Sequence, residues 1–103
     1  MRTKSNKLAK LERNRTSILT EQEDVCFLCG KLKDDTHEIF GGACRVASMK
    51  HGFCVPLCRS CHERVTNNED ASKVLKRLCQ AKFEKTHTRD EFMDIIGKNY
   101  LGW

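Results

Sequence analysis

Two pairs of cysteines, each with two residues between its members, constrain this chain more than any other feature. The pairs are Cys26 with Cys29 and Cys58 with Cys61, and 28 residues separate them. A tight turn brings the sulfurs of each pair together, and four thiolates complete a tetrahedral zinc shell. A chain of 103 residues suits one small domain, which often needs such a staple. The sequence therefore predicts a structural zinc ion on these four cysteines, with two local redox pairs as the alternative.

The remaining cysteines and the N-terminal composition bear on the cellular compartment. The chain has seven cysteines, and an odd number fits poorly with a closed disulfide framework. Cys44, Cys54 and Cys79 have no partner at ligand spacing, and the last two lie among apolar residues, which predicts buried thiols. The first residues are polar and no stretch approaches a membrane span. These features predict a cytoplasmic protein with reduced thiols and no membrane contact.

Basic residues are concentrated at the N-terminus. The formal net charge is +5, and up to Arg15 six basic residues stand against a single acidic one, Glu12. Such an arm favours polyanions, above all nucleic acid, although a solvated terminus is the alternative. We predict a basic segment over residues 1–24, with a short helix over 5–14, followed by a zinc-containing domain over 25–103.

Local patterns predict an α+β domain. "RTSILT" reads as extended, "THEIF" (36–40) as a strand ended by two glycines, and "GFCVPLC" (52–58) as a second strand that stops near Pro56. Helices are expected from Arg59 to about Val65 and over residues 70–85. "THTRDEFMDIIG" predicts a further helix, with a capping box at its start and a glycine at its end. The apolar tail "YLGW" is expected to pack on these helices.

The order of these motifs resembles the HNH family of nucleases, part of the His-Me finger group. The matching stretches are "CFLCG", "THEIF" with His37, and "VPLCRSCH" with His62 directly after the second cysteine pair. "NRTSIL", "HEIFGGACR" and "IGKNYL" further resemble small phage and prophage proteins of this type, from about Lys7 to Leu101. The resemblance implies a zinc-stapled β-hairpin and helix around one divalent ion, with additional C-terminal helices. It also implies a DNA endonuclease that acts in the bacterial host cell.

The resemblance also implies roles for individual residues. Phosphodiester hydrolysis needs a base for the attacking water and a positive centre at the phosphate. His62 would coordinate the divalent ion, and His37 would face it and act as the base, because imidazole titrates near neutrality. In another register of the family motif His37 is a ligand and Glu38 the base, although strand alternation sends the two side chains to opposite faces. Arg45 would clamp the phosphate.

The sequence departs from the family pattern in two places. The usual ligand four residues after the helix-start histidine is replaced by Thr66, so the amide oxygen of Asn67 is the candidate for a cation such as Mg²⁺, Mn²⁺ or Ni²⁺. The family's middle asparagine has no clear match, and Cys44 or Phe53 stands where it is expected. A non-catalytic, zinc-stabilised DNA-binding module is therefore the main alternative. A protein-interaction module that partners a phage enzyme is another, and His62 in place of Cys61 is an alternative zinc ligand.

Overall fold

An antiparallel hairpin lies at the centre of the fold. The computed structural model describes residues 9–10 and 15–102, and within them β1 spans Asp35–Glu38 and β2 spans Cys54–Leu57. The register pairs His37 with Val55. Every residue of β2 is buried, because the hairpin is covered on both of its faces.

Four helices accompany the hairpin within the described residues, which makes this a small α+β fold, as predicted. A 3-10 turn, Gly42–Cys44, leads into the first of them. They are α1 (Arg45–His51), α2 (Arg59–Asn67), α3 (Glu69–Phe83) and α4 (Arg89–Ile96). None of the helices in the described part of the chain is long and apolar enough to cross a membrane.

The alternation of side chains along β1 gives the hairpin two different faces. Asp35 and His37 share one face, which α2 covers, since His62 of α2 lies against both of them. Glu38 and Cys54 lie on the other face. There Glu38 pairs with Arg15, and the Cys54 thiol donates to a backbone carbonyl of the segment that precedes the first cysteine pair. Residues 15–19 therefore pack on the hairpin.

β2 ends at Leu57, one residue after Pro56, as predicted from the sequence. Ile39 N–H donates to the Phe53 carbonyl at 2.8 Å, which in this register makes His37–Val55 and Asp35–Leu57 the hydrogen-bonded pairs. Thr36 and Pro56 form an intervening pair, whose backbone groups point away from the partner strand. The proline ring therefore removes no hydrogen bond of the hairpin. Its carbonyl accepts from Phe27 N–H at 2.8 Å and joins the first cysteine turn to the hairpin.

The helix termini follow local capping chemistry. The Asn68 side chain accepts from Ala71 N–H at 3.1 Å and begins α3. Thr88 and Glu91 form the predicted capping box of α4, and Gly97 ends it with a φ of 87°. The two C-terminal helices are thus confirmed, and α2 runs two residues beyond the predicted end.

An aromatic cluster forms the core between the hairpin and the C-terminal helices. The ring of Phe53 lies 5.6 Å from Phe40, 5.4 Å from Phe83 and 6.0 Å from Phe92, between centroids. Tyr100 of the tail packs on Phe40 at 5.4 Å, which confirms that the tail returns to the core. Cys54 and Cys79 are fully buried, as predicted.

Helix α1 was not predicted, and the N-terminal predictions have mixed outcomes. No element was predicted over residues 45–51, and they form a helix that ends at Gly52 with a φ of 75°. Ile18 N–H donates to the Gly52 carbonyl at 3.0 Å, but residues 15–20 form no strand. Most of the helix predicted over 5–14 lies outside the described residues.

Candidate metal centres

The four cysteines of the two pairs meet beyond the end of the hairpin. Their Sγ atoms all lie within 4.8 Å of one another, and Cys29 Sγ lies 3.6 Å from Cys58 Sγ. Tetrahedral zinc with bonds near 2.3 Å requires sulfurs about 3.8 Å apart. This cluster of Cys26, Cys29, Cys58 and Cys61, named here the cysteine cluster, is therefore suited to a structural metal ion such as zinc.

Two local structures place these sulfurs. The first pair lies in a turn where Gly30 N–H donates to the Cys26 carbonyl at 2.9 Å, and Gly30 adopts a φ of 80°. The second pair lies at the start of α2, with Cys58 at the N-cap and Cys61 in the first turn. β2 leads directly into α2, which positions the second pair. The first turn is held beside it by the hydrogen bond from Phe27 N–H to the Pro56 carbonyl.

The electrostatics of the cysteine cluster favour a bound cation. Burial alone raises the pKa of Cys26, but backbone N–H groups of Cys58, Cys29 and Leu28 outweigh it and lower that pKa to about 6. Burial and hydrogen bonds to the other thiols raise the pKa of Cys61 to about 12. Four thiolates this close together would repel one another, and a bound divalent cation would stabilise them.

A pair of histidines lies on the face of the hairpin that α2 covers. His37 comes from β1 and His62 from the first turn of α2, and their ring centroids are 5.2 Å apart in an edge-to-face arrangement. Asp35 Oδ2 lies 3.1 Å from His62 Nδ1. These three side chains are named here the histidine site. The structure thus brings together the two histidines singled out in the sequence and adds a carboxylate that was not.

Asp35 fixes the orientation of His62. When His62 Nδ1 carries the proton and donates it to Asp35, Nε2 keeps its lone pair, which is the arrangement usual behind metal-bound histidines. Asp35 Oδ2 also accepts from Arg59 Nε at 3.1 Å. The hydrogen bond from His62, and then that from Arg59, hold the pKa of Asp35 below its usual range. The alternation Asp-x-His along a strand was the signal in the sequence for this residue.

The His37 imidazole is neutral and has a nitrogen without a partner. Burial, and then the charge of the neighbouring His62, lower the pKa of His37 to about 4. Its Nε2 atom is buried and has no hydrogen-bond partner among the described residues. A buried polar nitrogen normally has a partner, so this atom fits a group that the described residues do not supply.

Glu38 and Arg45 lie together on the opposite side of β1. The Glu38 carboxylate pairs with Arg15, and Arg45 Nε lies 3.6 Å from its Oε1. The Glu38 side chain is 15% exposed, whereas that of Arg45 is 39% exposed at the start of α1. The structure therefore brings Glu38 to two guanidinium groups rather than to the histidine site.

Thr66 and Asn67 differ in their placement along α2. Thr66 follows His62 by one helical turn, but its hydroxyl donates to the His62 carbonyl at 2.8 Å. Asn67 is five residues after His62, which rotates it by roughly 140° about the helix axis. Among the described residues, the cysteine cluster is the one group with three or more potential ligand atoms this close together. Asp35 is the residue that the structure places beside His62.

Comparisons with protein-family models, with curated proteins and with solved structures gave no match for this chain. The HNH assignment therefore stays a prediction from the motifs. The cysteine cluster rests on the geometry of the chain itself.

Proposed function

We propose that the protein is a metal-dependent endonuclease of the HNH type that hydrolyses DNA phosphodiester bonds. The observation that carries this proposal is the placement of His37 and His62, whose ring centroids lie 5.2 Å apart. They stand on a β-hairpin and on the helix that directly follows it, beside a cysteine cluster. This is the arrangement that the HNH resemblance implies.

In this proposal the cysteine cluster has a structural role and the histidine site has the catalytic role. The cysteine cluster would supply four thiolates to a zinc ion and so complete a tetrahedral shell, which would leave no position for substrate. Zinc there would have a structural role and would make the start of α2 rigid. His62 follows Cys61 directly, so the stapled turn fixes the position of its backbone.

The second ion is proposed to bind His62 Nε2, the nitrogen left free when Nδ1 donates to Asp35. A divalent ion at this place would stabilise the negative charge of the phosphate and of the leaving 3′ oxygen. His62 would hold the ion, and Asp35 would keep the imidazole in the required tautomer. Asn67 remains a predicted ligand, and water and phosphate oxygens would fill the remaining positions.

His37 is proposed as the general base. Since its pKa is about 4, the imidazole is unprotonated at neutral pH, as a base must be. Its buried Nε2, without a partner among the described residues, can accept the proton of the attacking water once substrate and water arrive. An adjacent phosphodiester anion raises the pKa of an imidazole and so strengthens the base during the reaction. Glu38 suits this role less well, because Arg15 and Arg45 neutralise it.

Arg45 is proposed to hold the DNA backbone. Its side chain is partly exposed at the start of α1, and Glu38 orients the guanidinium. The basic segment 1–24 would add further phosphate contacts. Binding should accordingly weaken steeply as the salt concentration rises.

A plasmid assay tests the proposal. Zinc-loaded protein is incubated with supercoiled plasmid and Mg²⁺, Mn²⁺, Ni²⁺ or no added ion, alongside His37→Ala and the exposed control Glu21→Gln. We expect metal-dependent nicking by the wild type and the control, with a loss of about 10²–10⁴-fold in His37→Ala, the usual contribution of a positioned base. DNA affinity should stay nearly unchanged in His37→Ala. Equal losses of cleavage and affinity would contradict the assignment of His37 as the base.

A second candidate is a DNA-binding module that has lost the catalytic ion. Two observations favour it: the Thr66 hydroxyl is bonded to the helix backbone, and the histidine site lacks a third ligand atom at the spacing of the cysteine cluster. The same assay separates the two functions. No nicking with any ion, together with a salt-sensitive gel shift, would favour the binding module.

A further inference from the structure

A basic cavity lies beyond the end of β2 that is opposite the cysteine cluster. It has a volume of about 450 Å³, within the range of small-ligand sites. Its walls come from the last turn of α1, the last turn of α3 and the loop that follows α3. Lys50, Lys82 and Lys85 line it, and none of the described residues in its lining is acidic. We name it the lysine cavity.

The positive charge of the three lysines in the lysine cavity exceeds the partial negative charge of the helix C-termini beside them. Lysines near helix C-termini often serve only to offset the partial negative charge there. The ends of α1 and α3 together contribute roughly −1 charge, against three ammonium groups. Among the described residues none of these lysines forms an ion pair. The surplus positive charge favours an anionic ligand.

A flat aromatic surface stands beside these lysines. The exposed His87 imidazole lies on the Phe83 ring with centroids 4.1 Å apart and planes 6° from parallel. Its Nδ1 is 2.8 Å from the Thr86 hydroxyl, which holds the ring in this orientation. One face of the imidazole is therefore covered by Phe83. The other face is available for stacking, as in proteins that bind single strands through aromatic platforms and lysines.

We propose that the lysine cavity binds one nucleotide, with its phosphate against Lys50, Lys82 and Lys85 and its base on the outer face of His87. The nucleotide belongs either to a single DNA strand or to a free mononucleotide, because both present the same phosphate and base. The strand as a source rests on the proposed function, since it would be the substrate of the histidine site. Bound in this way, a strand would be held at a second point, beyond the other end of the hairpin.

The lysines are tested by binding measurements on His37→Ala protein, which removes the proposed base so that bound strands stay intact. The probes are a labelled single-stranded oligonucleotide of about 10 nucleotides, AMP and inorganic phosphate. The triple variant Lys50→Ala, Lys82→Ala, Lys85→Ala is compared with a matched loss of charge elsewhere, in Lys31→Ala, Lys33→Ala, Lys73→Ala. Losing the contacts to this phosphate should weaken strand binding about fivefold near 0.1 M salt, since one neutralised phosphate contributes roughly 0.7 to the log–log salt slope.

His87 is tested with a pair of substitutions. His87→Ala should weaken strand binding roughly tenfold, because base stacking on an aromatic ring contributes about that much, and should leave the salt slope unchanged. His87→Phe keeps a flat ring and should bind nearly as well as the parent protein. A loss in both variants would contradict the stacking role.

The outcomes separate this proposal from the nuclease. Equal binding by the cavity variant and the matched control would overturn the lysine cavity as a site, whether or not the plasmid is cleaved. A selective loss of strand binding together with a failure to cleave would leave the cavity standing and overturn the nuclease. AMP binding that depends on the three lysines, without strand binding, would assign the free nucleotide as the ligand. If inorganic phosphate bound as tightly as AMP, the proposed stacking of the nucleotide base on His87 would be contradicted.

Discussion

The cysteine cluster and the histidine site share one hairpin and one helix, yet the chain builds them to different degrees. The cluster gathers four sulfurs within 4.8 Å, and two tight turns position all of them. The histidine site has two rings 5.2 Å apart and one carboxylate behind His62. A closed shell of protein ligands is typical of structural zinc, whereas a catalytic ion keeps open positions for water and substrate. The two regions differ as the proposed function expects of a structural zinc site and a catalytic site.

The largest expected effect comes from breaking the cysteine cluster. Cys58→Ser should release zinc and unfold the domain, because structural zinc contributes on the order of 10 kcal/mol in small metal-stapled folds. Metal content by atomic emission and a circular-dichroism melt measure the two losses. A chelator should have the same effect on the wild-type protein.

The control for this prediction is Cys44→Ser, which alters a half-buried cysteine outside the cluster. This variant should keep its zinc and a melting temperature close to that of the wild type. If Cys58→Ser also retained zinc and its melting temperature, the four-cysteine site would be refuted.

The next effect concerns the carboxylate behind His62. Asp35→Asn should lower the affinity for the second ion or the cleavage rate about 10–100-fold, as for other carboxylates that orient a metal-bound histidine. Zinc content should not change, because Asp35 is not part of the cysteine cluster. Cleavage is measured across a Mn²⁺ titration. A variant with unchanged activity would remove Asp35 from the histidine site.

A smaller effect is expected from a glycine that supports both regions through the hairpin. Gly52 has a φ of 75°, and a Cβ there would approach the Thr16 carbonyl oxygen to 2.8 Å. Gly52→Ala should therefore destabilise the fold by about 1–3 kcal/mol in urea unfolding, while the folded fraction keeps zinc and activity. Gly41→Ala is the matched control, since its φ is −91° and its Cβ meets open space. If the two variants were equally stable, the expected strain from a Cβ at Gly52 would be contradicted.

The smallest effect on cleavage is expected at Glu38. Because its carboxylate pairs with Arg15 and Arg45 on the opposite side of β1, Glu38→Gln should slow cleavage by folded protein only slightly. Its melting temperature should fall, since Arg15 loses its charged partner. Single-turnover cleavage at saturating Mn²⁺ checks the first point. A loss as large as that of His37→Ala would make Glu38 the base and His37 a ligand.

Features set by neighbours in the chain could be predicted from the sequence. The C-x-x-C turns and the capping box of Thr88 and Glu91 depend on contacts within a few residues, and the structure confirms both. Helix α1 escaped prediction because it is short and its apolar residues, Val46 and Met49, give little periodicity. The end of β2 near Pro56 was also predicted, but the sequence did not show which pair of the hairpin Pro56 occupies.

The histidine site could be predicted only in part, because some of its contacts depend on the tertiary fold. The motif singled out His37 and His62, but the partner of His62 depends on the register of the hairpin and the angle of α2. Asp35 reaches His62 across 27 positions in the chain. Asn67 stays a predicted ligand because of its amide oxygen, and it lies roughly 140° from His62 about the helix axis. Charge partners such as Arg15 with Glu38 likewise follow from the tertiary fold rather than from spacing.

The most direct test of the difference between the two regions is a Mn²⁺ titration of zinc-loaded protein, followed by electron paramagnetic resonance of the free ion. Wild type and His62→Ala are compared, and zinc content is measured in the same samples. We predict that the wild type binds one Mn²⁺ per chain, that His62→Ala loses this binding, and that both keep one zinc ion. Mn²⁺ binding that is absent from the wild type, or unchanged in His62→Ala, would contradict the second centre.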